Sequence, residues 1–267
     1  MASGSYYVPL PDGRYQPTER VQGAWRDHEQ HMGPVSGLIA HAIERHDPRP
    51  ELALARIGYE ILGVIPDFAT SVHVETIRPG RTIELVEATL IAGHRQVVRA
   101  RAWRIARHDT GEVAGGAPAS LPPPESYAPW NGSSVWRGDY ISSLDIRADP
   151  ENVPGRGRAW LRTDVTLIDG LDVSPTAAYL GLVDTANGIA VRQDPRRWMF
   201  PNLDITVHLF REPIAGWVGF DTTVVFGADG LGVTSSTLYD VEGAVGRAEQ
   251  ILTIRPLPAH GAAHSPG

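Results

Sequence analysis

Four polar residues in the second half of the chain are of types that can hold a water and take its proton. Asp184 interrupts an otherwise apolar helical run, Leu180-Gly-Leu-Val-Asp-Thr-Ala-Asn-Gly188. Asn202 and Asp204 open a strand in Phe200-Pro-Asn-Leu-Asp-Ile-Thr206, and Gln250 falls in a late strand, Arg247-Ala-Glu-Gln250. An ionised carboxylate on an apolar face needs polar partners, and strands crossing the helix can supply them. A carboxylate beside amides can act as a general base on a positioned water, with no nucleophilic side chain and no metal. The competing reading is a satisfied polar network between helix and sheet.

Other chemistry is poorly supported. The sequence has no cysteine, which excludes disulfides, thiol nucleophiles and Cys-ligated metals. Its 24 basic residues are all Arg, so a Walker-type phosphate loop and Schiff-base chemistry are absent. No Gly-x-Ser-x-Gly elbow or Gly-x-Gly-x-x-Gly fingerprint occurs. His28 and His31 stand three apart without a third ligand, which suits a surface helix or loop better than a metal site. His41, His73 and His94 are isolated and read as packed or solvated. Arg192, Arg196 and Arg197 could meet the phosphates of a nucleotide-bearing ligand, against the alternative of a solvated loop. A net charge of −7 argues against a nucleic-acid partner. No apolar run is long enough for a membrane span, and Met1–Arg20 does not read as a signal peptide. A cytoplasmic protein is the expectation.

These residues need elements to place them. At 267 residues the chain has room for two domains. Residues 1–19 read as an irregular lead-in. Gly33-Pro34 opens a helix to Arg45, with Leu38, Ile39, Ala42 and Ile43 at helical spacing. Strands follow over 52–65, 71–77, 82–92 and 94–106. Residues 109–132 are rich in Pro and Gly and read as a linker. A strand over 135–146 and another over 158–167 precede a second helix, capped by Ser174-Pro175 and running to Val191. Strands over 203–211, 217–226, 232–239 and 245–254 close the set, and residues 257–267 read as a flexible tail. Each half, 20–108 and 133–256, is one helix followed by antiparallel strands. A helix wrapped by a curved sheet is one physical solution for such a unit, and two of them can share a continuous sheet.

The order of these motifs resembles the thioesterase-like proteins related to acyl-CoA thioesterase II. The resemblance spans residues 20–256 and rests on Gly33-Pro-Val-Ser-Gly37, Ala178-Tyr179 with Asp184, Leu203-Asp204 with Phe210-Arg211, and Asp240 to Gln250. It implies an α+β double hotdog and a catalytic set of Asp, a Ser/Thr hydroxyl and Gln. Asp184 and Gln250 match; the hydroxyl position holds Asn202, with Thr206 near in sequence and on the same strand face if the strand is regular. What the resemblance implies is hydrolysis of an acyl-CoA by a water that Gln250 and Asn202 hold and Asp184 activates. Backbone N–H groups near Gly33 would stabilise the oxyanion. No cofactor is expected, CoA being part of the substrate, and a homodimer is the default assembly. Two other readings stand beside it: a non-catalytic acyl-CoA or acyl-carrier-protein binder, and a dehydratase or hydratase using His208.

Overall fold

The computed structural model describes residues 4–257. Period-two burial in the strands and all-round burial of two helices set the architecture. In Ile83–Ala92 the buried positions are Glu84, Val86, Ala88, Leu90 and Ala92, every second residue, so one face looks inward. By contrast the first long helix buries Met32 through His41 without a break, so it lies in the centre rather than on a surface.

In chain order the elements are β1 (Ser5–Pro9), β2 (Tyr15–Pro17), α1 (Met32–Arg45), β3 (Leu52–Ile61), β4 (Thr70–Arg78), β5 (Ile83–Ala92) and β6 (Arg95–Ala106). Then come β7 (Ala128–Pro129), α2 (Asp139–Ser142), β8 (Leu144–Ala148), β9 (Arg156–Thr163), β10 (Thr166–Ile168), α3 (Pro175–Val183) and α4 (Ala186–Ile189). The last are β11 (Trp198–Met199), β12 (Asp204–Leu209), β13 (Val218–Phe226), β14 (Leu231–Asp240), β15 (Gly243–Thr253) and β16 (Arg255–Pro256).

Fourteen strands form one sheet in the order β10-β1-β2-β4-β5-β6-β3-β12-β15-β14-β13-β9-β8-β7. The runs β3-β6-β5-β4 and β12-β15-β14-β13 mirror each other about the antiparallel β3–β12 pair, where Thr206 faces Gly58. Each half is thus one helix and four antiparallel strands, of which the last three form a meander while the first crosses over to lie beside the last, β3 next to β6 and β12 next to β15. Helices α1 and α3 cross closely on the inner face. A Cβ at Gly37 would stand 3.0 Å from the Ala177 carbonyl and 3.1 Å from the Gly181 Cα. The crossing is also bonded, since Ser36 Oγ lies 2.9 Å from the Leu180 carbonyl oxygen and can donate to it.

Four expectations fail locally. The lead-in is not irregular: Tyr6 and Tyr7 are buried, and β1 pairs in parallel with β10 of the other half. The Pro/Gly-rich stretch is partly docked: Pro124 and Tyr127 are buried, and Trp160 Nε1 donates to the Pro122 carbonyl at 2.9 Å. The 135–146 strand is instead a turn, the short helix α2 and only then β8. Gly138, at φ 99°, redirects the chain there so that Trp136 and Tyr140 both point inward. The second helix stops at Val183, Asp184 is its C-cap, and α4 is a separate turn. Of the expected tail, residues 258–267 lie outside the described residues.

Candidate active site

Antiparallel packing of α1 on α3 brings the start of one helix to the end of the other. His31 caps the N-terminus of α1 and Asp184 the C-terminus of α3, and their side chains meet, Nδ1 to Oδ2, at 3.1 Å. Asp184 Oδ1 accepts from Asn202 Nδ2 at 2.9 Å and from Gln250 Nε2 at 3.1 Å. Gln250 reaches it because β15 alternates: Ala248, Gln250 and Leu252 point inward. Asn202 reaches it because it precedes β12, in a single bridge to Leu252. The structure therefore brings together the three residues read from the sequence, with both amides as donors to the carboxylate.

His31 is the residue that sequence reasoning placed on a surface. Only its neighbour His28 is exposed, beside Asp67; Glu29 and Gln30 are buried. The signal that was available is position: His31 stands two residues before the Gly33-Pro34 of a helix start, where a side-chain acceptor caps the helix. Its ring stacks on Tyr140, centroids 4.1 Å apart. Tyr140 Oη in turn donates to the Gly181 carbonyl at 3.0 Å and shares a hydrogen bond with Thr185 Oγ1 at 3.0 Å.

Nδ1 of His31 has two claims on it. Gly33 N–H donates to it at 3.0 Å, which requires a bare nitrogen, while an ionised Asp184 would require a proton there. Burial pushes the Asp184 carboxyl above the ordinary carboxylate range, opposed by His31, Asn202 and Gln250. Burial likewise pushes His31 below the ordinary imidazole value, opposed by Asp184. Both directions favour a proton between Oδ2 and Nδ1 with no net charge on the pair. Loss of one proton from the pair, with the imidazole's remaining proton on Nδ1 and the Gly33 bond given up, leaves an ionised Asp184 that accepts from Nδ1–H, the form able to act as a base.

The other expected residues stand elsewhere. Gly33 supplies close packing and no free donor: a Cβ would fall 2.5 Å from Tyr140 Oη, and its N–H is taken by His31. Thr206 is out of the site. Leu203 is exposed where strict alternation would bury it, so the strand slips phase before β12. Asp204 then accepts from Ile251 N–H at 2.7 Å, and Thr206 lies opposite Glu249 on the outer face. Exposed His208 shares that face, which removes it as a partner for Asp184. Arg192, Arg196 and Arg197 are all exposed, Arg196 is tied to Asp194 at 3.1 Å, and none lines a cavity beside Asp184.

Two cavities meet at His31, Asp184 and Asn202. The inner one, about 50 Å³, is walled by Trp25, Trp130, Trp136, Ile141 and Ile146. The outer one, about 280 Å³, includes Met32, Ile61 and Ile65 together with Arg26, Glu29 and Arg255.

Two helices, each with its own meander on a shared sheet, and a carboxylate at their crossing define a double hotdog. Similar solved structures agree. A protein of Thermobifida fusca assigned as a thioesterase II is 16% identical with TM-score 0.72, covering 94% of this chain and 96% of that one. The acyl-CoA thioesterase II TesB2 of Mycobacterium marinum is 16% identical with TM-score 0.67, covering 97% of each. A hot dog protein of unknown function from Alicyclobacillus acidocaldarius is 13% identical with TM-score 0.72, covering 92% and 93%. Two family models match the sequence itself: the acyl-CoA thioesterase N-terminal domain over residues 21–105 and the acyl-CoA thioesterase C-terminal domain over residues 118–254. The chain belongs to the acyl-CoA thioesterase family. No curated protein matches it. Among the described residues, no helix is long and apolar enough to cross a membrane.

Proposed function

We propose that this protein hydrolyses acyl-CoA thioesters with Asp184 as general base. The observation that carries the reading is a buried carboxylate with one oxygen fixed by two amides, opening onto two cavities of unequal size. A thioester carbonyl seated where the cavities meet lies beside Asp184 and Asn202. Asn202 Nδ2 is spent on Asp184, so its Oδ1 is left to accept a hydrogen bond from the attacking water. Asp184 takes that water's proton as its oxygen bonds to the carbonyl carbon. Met32, at the first turn of α1, lines the outer cavity, and its N–H has no partner among the described residues. It is the helix-start donor we assign to the oxyanion, in place of Gly33. Collapse breaks the carbon–sulfur bond, and the proton returns from Asp184 to the thiolate. The products are the free acid and CoA. General-base help of this kind is typically worth ~10²–10⁴ in rate.

The test is thiol release from a panel of acyl-CoAs, with thermal shift by the same compounds. Turnover supports hydrolysis. Stabilisation without thiol release supports the binding-protein reading, which Asn202 at the hydroxyl position favours. Neither signal contradicts both.

A further inference from the structure

The inner cavity is small, and its wall is stiff. Trp25, Trp136 and Phe200 meet edge to face, with centroids 5.4 Å apart for Trp25–Trp136, 5.4 Å for Trp25–Phe200 and 5.6 Å for Trp136–Phe200. Trp136 Nε1 donates to the Gly188 carbonyl at 3.0 Å, fixing that ring against α4. Behind the cavity, Ile141 and Ile146 are buried in the main core. Interiors packed to this density do not yield without loss of contacts elsewhere.

The outer cavity is several times larger and holds two guanidinium groups, Arg26 and Arg255. Neither side chain has an ion-pair partner among the described residues. A thioester of CoA has a polyphosphate arm on one side of its carbonyl and an acyl group on the other. The cations suit the arm and the tryptophan wall suits the acyl group.

We infer that the acyl group this protein accepts is short and lies in the inner cavity against Trp25 and Trp136, with the CoA arm leaving past Arg26 and Arg255. The inference rests on the thioesterase reading. A water needs roughly 10–15 Å³ of such space, so the inner cavity takes about three to five water-sized groups, an acyl chain of about two to four carbons. An apolar cavity that holds benzene is about 150 Å³ by a comparable measure, so the inner cavity alone has no room for a ring or a long chain.

The experiment is kcat/KM across straight-chain acyl-CoAs from acetyl to palmitoyl. The optimum falls at or below butyryl, with a loss of at least about ten-fold at octanoyl, since a methylene too many in a tight pocket costs about 10–200-fold. An optimum at octanoyl or beyond overturns the inference. Trp25→Ala moves the optimum to longer chains; a folded variant with an unmoved optimum also counts against it. Because Trp25 packs against the core and its variant can unfold, Ile146→Ala is measured in parallel, with a smaller move in the same direction. If no acyl-CoA is hydrolysed, the thioesterase reading fails and binding decides the pocket separately. Butyryl-CoA binding more tightly than CoA, with decanoyl-CoA no tighter than CoA, upholds the short pocket. Decanoyl-CoA binding as tightly as butyryl-CoA overturns it.

Discussion

The helix crossing has two ends, built alike and serving different ends. At one, the N-cap of α1, His31, meets a carboxylate at the C-terminus of α3, Asp184. At the other, the N-cap of α3, Ser174, meets a carboxylate in the last turn of α1, Glu44, with Oγ donating to Oε2 at 2.6 Å. Burial raises both carboxyls. The caps differ in what they can satisfy. The Ser174 hydroxyl accepts from Ala177 N–H at 3.0 Å and donates to Glu44 at the same time. An imidazole nitrogen has one site, so Gly33 N–H and Asp184 compete for it. The donors differ too. Gln250 and Asn202 both donate to Asp184 Oδ1, whereas Ser174 is the one side chain among the described residues that donates to Glu44. Finally, Asp184 borders two cavities, and Glu44 lines neither. A buried carboxylate at a helix crossing is therefore not enough; amide donors, a cap short of a hydrogen-bonding site and open space make the difference.

Changes at the Asp184 end should cost activity, and changes at the Glu44 end should cost only stability. Gln250→Leu removes one donor from Asp184 Oδ1 and should lower kcat by ~10²–10³, the range for a fixed polar contact in such sites, read by thiol release. Asn202→Leu should fall in the same range. Asn202→Ser should retain activity within about ten-fold, because a hydroxyl can also donate to Oδ1 and accept from the water.

Next in size is the pH response. Hydrolysis needs ionised Asp184, whose folded value is raised, so kcat/KM should climb with pH on a limb above the ordinary carboxylate range of about 4. His31 opposes that rise, so His31→Gln should move the limb to still higher pH. A limb unmoved or moved downward would detach His31 from Asp184. The smallest effect belongs to Ser174→Ala, which should cost about 1 kcal/mol of stability by loss of the cap and leave kcat unchanged.

Much of this contrast was legible in the sequence, but unevenly. Asp184 stood out because a charged residue in an apolar helical run breaks a visible period, whereas Gln250, next to Glu249 and near Arg247, was matched through the order of motifs. Asn202 was found, yet Thr206 was wrongly joined to it, because alternation assumes a regular strand and the chain slips phase at Leu203. His31 was misplaced because its partner lies 153 residues away across a helix crossing, and no local pattern records that contact. The 135–146 segment read as a strand from its apolar residues, whereas Gly138 and the insertion of Trp136 and Tyr140 make it a turn and a short helix.

One paired measurement bears on the central claim most directly: thiol release and melting temperature of Asp184→Asn beside Glu44→Gln at neutral pH. The raised folded value of Asp184 means that the fold favours its protonated form. That contribution to stability is present below the unfolded value and lost as pH rises through the folded one. An amide of the same shape removes this cost, so Asp184→Asn should melt no lower than the unsubstituted protein while losing ~10²–10⁴ in kcat. Glu44→Gln should keep kcat within about two-fold, since nothing ties that carboxylate to either cavity. A folded Asp184→Asn protein with undiminished thiol release would contradict the account, as would a Glu44→Gln protein that loses as much.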